Sequence, residues 1–278
     1  MKWLQRLFGI APRAMPPQPM TQRPSPQEIR RRAKERRDEA LAHFPFELHE
    51  VAGADAMARW QELKAANRGA PVVLAGDDNI ENLLEPFTPG ALQSGFSAER
   101  PVEAILAAAE KIRFPDDLLA MRKADAAKYA AEEQEEPLGE WPEIEDASAI
   151  ASHGLTVASD ILSGKPLDKV YICVIPTDDW TTIPAYLRWG AWNENSGPEW
   201  HVAALRSWRD RYGIELVGLS FDVLNLTVAR KPQTRAEAIA LAREQYAYCG
   251  DIVDQGTETI SMLARGLMDS DWWYFWWD

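Results

Sequence analysis

The sequence has few cysteines and no long apolar run. Cys173 and Cys249 are the only cysteines among 278 residues, too few for a disulfide framework. Both have the pattern of small buried side chains, and their scarcity favours the cytoplasm. No apolar stretch approaches the roughly 18 residues needed to cross a bilayer. Residues 1–10 begin with a positive charge, but Gln5 and Arg6 interrupt their apolar stretch, so they lack the pattern of a secretory signal.

The motifs of common catalytic and cofactor-binding families are also missing. The sequence has no glycine-rich phosphate loop, dinucleotide fingerprint, His-Glu-x-x-His pair, Cys-x-x-Cys pair or Gly-x-Ser-x-Gly elbow. Its four histidines, at positions 43, 49, 153 and 201, are widely spaced. We therefore expect no histidine-rich metal site and no cofactor. His201 lies beside the apolar stripe of a predicted helix, which favours a hydrogen-bonded histidine at the edge of the core over a catalytic base.

Charge is divided unevenly along the chain. Residues 1–40 carry ten basic and four acidic side chains, whereas the remainder carries 20 basic and 39 acidic ones, a formal charge of −19. This acidic body repels nucleic acid phosphates, so nucleic acid is an unlikely partner for it. The charge favours a basic protein partner or a cationic ligand. Acidity that serves only solubility is the alternative interpretation.

The first 44 residues differ in composition from the rest. Six prolines between residues 11 and 26 predict a disordered, proline-rich tail over 1–24. Apolar side chains within residues 1–10 could share a helical face and touch a membrane surface or a partner. A capping-box pattern starting at Ser25 predicts a basic helix over 25–44. The positive charge of that helix is compatible with binding to nucleic acid or anionic lipid. The alternative is a solvated helix that lies on the acidic body.

The body is predicted to contain two regions. Residues 45–131 alternate short strands and helices and are expected to form a smaller α/β region. Residues 132–147 are predicted to be an acidic linker, because 132–146 contain eight acidic and no basic side chains. Residues 148–278 are expected to fold as one cooperative domain.

The C-terminal domain has a clearer pattern of strands and helices than the N-terminal region. Its predicted order is β-α-β-β-α-(α)-β, which gives an α+β fold class and a ferredoxin-like plan with an antiparallel sheet. In that plan the last strand lies beside the first one. The last strand holds six consecutive aromatics, residues 272–277. Since strand residues alternate faces, three should enter the helix-side core and three the open face. That open face must be covered by the N-terminal region or by a partner.

Several stretches of this domain resemble a known family. They are WRDRYGIELVGL at 208–219, ARKPQTRAEA at 229–238, EQYAYCGDIVDQGT at 244–257 and the closing WWD. Together they resemble the bacterial domain family of unknown function DUF4253, strongly over about 170–278. The N-terminal half is similar only in outline, through Trp60 and the PVVL stretch at 71–74. The resemblance implies a shared fold and supplies no activity or catalytic residue.

Carboxylates after the predicted helix ending at Cys249 are one candidate site. Asp251, Asp254 and Glu258 are candidate catalytic residues, because neighbouring carboxylates can hold a divalent cation or share a proton. The competing interpretation is that Asp254 or Thr257 caps the next helix, and we assign no metal here. Asp222, between two predicted strands, is a further candidate acid, but this position favours a turn residue over a catalyst.

A tryptophan-rich loop, predicted over residues 177–197, is the other candidate site. A loop of about 20 residues in a compact domain is often functional, and tryptophans are frequent binding anchors. The candidate partner-binding residues are Trp180, Trp189, Trp192, Asn193 and Asn195. The alternative is that these side chains cover the sheet.

Two functions of different classes remain open. The first is a cytoplasmic bacterial protein-binding module, for example an immunity or inhibitor protein that neutralises a basic toxin. The second is a hydrolase or metal-dependent enzyme that uses the acidic residues of the C-terminal domain. Carboxylates that converge in a concave pocket would favour the enzyme, whereas scattered helix caps would favour the binding module.

Overall fold

The structure is a computed structural model that describes residues 25–77, 80–88, 100–128, 136–143 and 154–278. The predicted tail 1–24 and half of the predicted linker 132–147 lie outside the described residues. The chain divides into two compact units, residues 1–36 and residues 37–278.

Most helices begin where local sequence signals predict them. In the described residues the helices are α1 Pro26–His43, α2 Ala56–Ala65, α3 Ile80–Leu84, α4 Val102–Ala109, α5 Asp116–Ala126, α6 Ile183–Leu187, α7 Pro198–Tyr212, α8 Arg235–Tyr248 and α9 Ile260–Asp269. A π-helix spans Ile252–Thr257. Ser25 caps α1, since the backbone N–H of Glu28 donates to its Oγ at 3.2 Å. Thr234 and Glu237 form a capping box at the start of α8 with both reciprocal hydrogen bonds. No described helix has the length and apolar character needed to span a membrane.

One mixed sheet organises the second unit. Its strands are β1 Glu47–Val51, β2 Ala70–Leu74, β3 Val170–Ile175, β4 Glu215–Leu219, β5 Val223–Thr227 and β6 Trp272–Trp276. They lie in the order β1-β3-β2-β4-β5-β6. The pair β2–β4 is parallel and the other neighbouring pairs are antiparallel. The mixture of helices and this sheet confirms the α+β class.

The predicted neighbours of the last strand are wrong. β6 pairs with β5 rather than with β3, so the β3–β6 pairing of the ferredoxin-like plan is not found, and the sheet is not purely antiparallel. The reason lies in the N-terminal strands, because β1 and β2 occupy both edges of β3. Every residue of β2 is buried, as expected for a central strand. The predicted regions 45–131 and 148–278 therefore contribute strands to the same sheet.

The two faces of the sheet are covered by different elements. Helices α7, α8 and α9 pack on one face, around Trp208, Tyr248 and Phe275. Helix α2 covers part of the opposite face with Trp60 and Leu63, as expected of the N-terminal region. The segment that precedes β3, residues 154–169, covers another part of this face. We call it the covering segment.

Candidate functional site

The turn between β4 and β5 lies at the end of the sheet where the parallel strands β2 and β4 have their carboxyl ends. The backbone N–H of Ser220 donates to the carbonyl of Val223 at 2.9 Å and closes the turn. Ser220 Oγ accepts from the Val223 N–H at 3.0 Å and donates to Asp222 Oδ1 at 2.8 Å. Asp222 is thus a turn residue, as predicted, and its half-buried carboxylate is held in place by Ser220.

The tryptophan-rich loop packs against this turn. Trp189 is 3% exposed, and its Nε1–H donates to the carbonyls of Ser220 at 2.8 Å and Phe221 at 3.1 Å. Trp192 stacks on Phe221 with ring centroids 4.5 Å apart. The loop therefore fixes the position of the turn that carries Asp222.

The loop reaches this position through an unusual backbone. Arg188, Ala191 and Asn193 have positive φ angles of 52°, 65° and 45°. Gly190 has φ +105°, and a Cβ on it would meet the carbonyl oxygen of Ser196 at 2.1 Å. Glycine is therefore required at this position.

The five predicted partner-binding residues are placed differently from one another. Trp180 packs against the main core while half-buried. Asn195 is buried with Trp189, and both polar atoms of its side chain are buried without a hydrogen-bond partner among the described residues. Asn193 is exposed, and its Nδ2 donates to the carbonyl of Asp278 at 2.9 Å. Of the five, Trp192 and Asn193 are the better placed to meet a partner.

A groove of about 700 Å³ runs along the strand ends, on the face of the sheet that α2 partly covers. Tyr274 and Trp276 of β6 form part of its lining, and both are half-buried. Its other walls come from the covering segment, from the residues after β2 and from the β4–β5 turn. We call it the acidic groove. Its charged side chains are Asp77, Asp160, Asp168, Lys169 and Asp222.

Two residues hold the covering segment against the sheet. Asn225 of β5 is fully buried, and its Oδ1 accepts from the backbone N–H of Val157 at 3.0 Å. Its Nδ2 donates to Thr156 Oγ1 at 2.9 Å. A Cβ on Gly218 of β4 would lie 2.6 Å from the side chains of Leu155 and Val157. The small residue at 218 thus lets the segment approach, and the paired amide of Asn225 anchors it.

Asp77 is the most heavily paired acid of the groove. Lys169 Nζ lies 2.8 Å from its Oδ1 and Arg37 Nη1 lies 3.0 Å from its Oδ2. Tyr171 also donates its hydroxyl to Asp77 Oδ1 at 2.8 Å. Burial acts to raise the pKa of Asp77, but the hydrogen bonds from Lys169 and Tyr171 outweigh it, and the pKa is lowered. Asp77 is therefore ionised and already neutralised by cations of the protein.

The remaining acids of the groove are paired less completely. Asp160 accepts from the hydroxyl and the backbone N–H of Ser163, and these bonds lower its pKa. Asp168 is exposed. Burial first, and then the negative charge of Asp222, raise the pKa of Tyr274 to about 12. Asp222 therefore acts electrostatically on the aromatic side of the groove.

The other predicted acids engage in local contacts. Asp251 accepts from Gln255 Nε2 and from the backbone N–H of Asp278, each at 2.9 Å. Asp254 accepts from the Tyr246 hydroxyl at 3.0 Å.

Glu258 ends the π-helix with a positive φ of 63°. The prediction that Asp254 or Thr257 caps the next helix is wrong. Thr259 caps α9, accepting from the backbone N–H of Met262 at 3.2 Å. Among the described residues, no group of three or more His, Cys, Asp or Glu side chains is arranged to hold a metal ion.

His201 lies in the core under the tryptophan-rich loop. It is fully buried, with Nε2 2.9 Å from the carbonyl of Ser196 and Nδ1 2.5 Å from the Tyr248 hydroxyl. A carbonyl only accepts, so Nε2 carries the proton and Tyr248 donates to Nδ1. Burial lowers the pKa of His201 to about 3. His201 is thus neutral and hydrogen-bonded, but it lies inside the core and not, as its helix position predicts, at the edge of the core.

The fold and its groove define an α+β domain with a mixed sheet and an acidic surface recess. Residues 171–278 match the family DUF4253, a domain of unknown function. The match covers most of β3 and all of β4, β5 and β6, and it is consistent with a DUF4253 domain in this part of the chain. No curated protein and no solved structure matches the chain.

Sequence reasoning did not identify most of the groove. The sequence predicts three aromatics of the last strand on the open face without saying which three, and Asp77, Asp160 and Lys169 are not among the predicted site residues. The alternation of the last strand was the available signal for Tyr274 and Trp276. No local signal predicts that the covering segment folds across the strand ends.

Proposed function

We propose that the protein is a protein-binding module and that the acidic groove takes a positively charged, extended segment of its partner. The observation that carries this proposal is the lining of the groove, where the half-buried aromatics Tyr274 and Trp276 lie among carboxylates. Acidic surfaces speed the capture of basic partners, and aromatic side chains are frequent interface anchors.

Exposed aliphatic side chains near the groove support the same function. Ile161 is 83% exposed and lines the groove, and its neighbour Leu162 is 94% exposed. Adjacent apolar side chains this exposed are common at protein interfaces. Trp192 and Phe221 lie on the other side of the β4–β5 turn from Asp222 and would extend the contact surface.

The proposal extends to the class of partner and to the cellular compartment of the protein. An immunity or inhibitor protein that neutralises a basic toxin is the member of this class that the formal charge of −13 suits best. Cys173 and Cys249 are free, buried thiols, which suits a reducing compartment such as the cytoplasm. An enzyme built on Asp222, Asp251 and Asp254 has less support, because Asp251 and Asp254 are engaged in local hydrogen bonds.

Peptide binding tests the proposal. The probe is a labelled peptide in which lysine and arginine alternate with serine, followed by fluorescence anisotropy at low and at physiological ionic strength. We expect the native protein to bind it and salt to weaken the binding. The triple variant Asp160→Asn, Asp168→Asn, Asp222→Asn should weaken binding at low salt by at least about tenfold.

A matched triple variant separates the groove from overall charge. Glu103 of α4, Glu110 directly after α4 and Asp116 of α5 are exposed and do not line the groove. Their conversion to Gln, Gln and Asn changes the net charge by the same amount and should weaken binding by less than about threefold. Equal weakening by the two triple variants, or no binding by the native protein, would contradict the proposal.

A further inference from the structure

The acidic groove changes chemical character across the sheet. The strand order places Lys169 before β3 and Asp77 after β2, with the β4–β5 turn next and Tyr274 and Trp276 on β6 at the far edge. On the β3–β2 side, two cations of the protein already neutralise Asp77. A positive group of a partner gains little there, because the local charges are satisfied.

The opposite side of the groove offers an unneutralised acid beside aromatic faces. The carboxylate of Asp222 accepts a hydrogen bond from the Ser220 hydroxyl, and among the described residues no cation forms an ion pair with it. Trp276 pairs across the strands with Val223, the residue that follows Asp222. Tyr274 lies two positions earlier on the same face of β6.

The guanidinium of arginine matches this arrangement better than an ammonium does. It is planar, it stacks on aromatic faces, and it donates two parallel hydrogen bonds to a carboxylate. Cation–π contact with tryptophan is the strongest of its kind. We infer that Asp222, Tyr274 and Trp276 form a subsite for one arginine side chain of the partner, and this inference rests on the proposed function.

Peptides that differ at a single position test the subsite in the full-length protein. The host is a basic peptide in which lysine alternates with serine and which contains no other arginine, with its central position occupied by arginine, lysine or citrulline. Citrulline keeps the shape of arginine and lacks its charge. The native protein should bind the arginine peptide about tenfold more tightly than the citrulline peptide, with lysine in between.

Protein variants locate this preference. In Asp222→Asn and in Trp276→Leu the preference for arginine over citrulline should fall to within about twofold. Asp168→Asn should weaken all three peptides by the same factor. Trp272→Leu should retain the preference, because Trp272 lies on the same face of β6 without lining the groove. Thermal unfolding of each variant confirms that it is folded at the assay temperature.

The failures of the two proposals are distinguishable. If the peptides bind but the preference persists in Asp222→Asn and Trp276→Leu, the arginine subsite is wrong while groove binding stands. A lysine peptide that binds as tightly as the arginine peptide would also overturn the choice of arginine. If the native protein binds none of the basic peptides, the proposed function and the subsite fall together.

Discussion

At the scale of single residues, the core under the candidate site depends on buried polar side chains that keep one protonation state. His201 is neutral because burial disfavours its charged form, and its two ring nitrogens are already engaged with Ser196 and Tyr248. The same residue lies directly below Gly190, where a Cβ would approach Nε2 to 2.7 Å. The shape of the tryptophan-rich loop is thus tied to the neutral state of His201.

This dependence predicts a loss of stability in acid. The pKa of His201 is about 3 in the folded protein, whereas histidine in an unfolded chain titrates near 6.5. As the pH falls, the unfolded chain binds the proton first. The stabilisation is therefore complete above about pH 6.5 and is lost progressively towards pH 3. Between pH 7 and pH 5 it should amount to about 2 kcal/mol.

Urea unfolding across that pH range measures the effect. His201→Gln should show a shallower dependence of the unfolding free energy on pH than the native protein, by about the same 2 kcal/mol. His43→Gln, at an exposed position, should follow the native protein. Parallel pH profiles for the native protein and His201→Gln would show that His201 is not held neutral in the fold.

At the scale of elements, successive side chains of β6 point alternately into the core and towards the groove side of the sheet. Trp273, Phe275 and Trp277 are buried against the helices, while Trp272, Tyr274 and Trp276 are partly exposed. Within the core, Phe275 stacks on Trp208 with ring centroids 5.4 Å apart. The strand therefore supplies stability with one face and a candidate binding surface with the other.

Two substitutions on this strand should lower the unfolding free energy by very different amounts. Phe275→Ala removes a fully buried aromatic and should lower the unfolding free energy by about 3–5 kcal/mol. Tyr274→Ala removes a half-buried one and should cost less than about half as much. Denaturant melts of the two variants compare these costs. A Tyr274→Ala variant as damaged as Phe275→Ala would show that the alternation of the strand is misassigned.

Local signals on these elements explain which parts of the fold were predictable. The capping box at Thr234 and the alternating aromatics of 272–277 depend on neighbours within a few residues, so sequence alone predicts α8 and the faces of β6. The neighbours of β3 depend on pairing with strands about 100 residues earlier in the chain. The acidic groove depends on the covering segment, whose approach requires Gly218 and Asn225 from other strands.

At the scale of the whole molecule, the DUF4253 match does not contain a complete sheet. It spans residues 171–278, whereas β2 at Ala70–Leu74 lies between β3 and β4. Without β2, β3 would lose its connection to the rest of the sheet, and β4 would expose an unpaired edge. The prediction that residues 148–278 fold as one cooperative domain therefore conflicts with the strand order.

Two fragments test this dependence. Residues 37–278 should unfold cooperatively, because they form one compact unit with all six strands. Residues 148–278 should show no cooperative thermal transition, since they lack β1 and β2. Circular dichroism melts of both fragments provide the measurement. A cooperative transition in the shorter fragment would show that its four strands form a stable sheet without β2.

The central claim, that a basic segment occupies the acidic groove, is tested most directly by the indole N–H resonances of the twelve tryptophans. A ¹H–¹⁵N spectrum is recorded during titration with the arginine-containing basic peptide, and each indole is assigned by Trp→Phe substitution. The resonance of Trp276 should shift the most, because its ring lines the groove. The buried Trp208, on the helix side of the sheet, should stay in place. Saturable binding that leaves Trp276 unchanged, or shifts a tryptophan remote from the groove instead, would contradict the account.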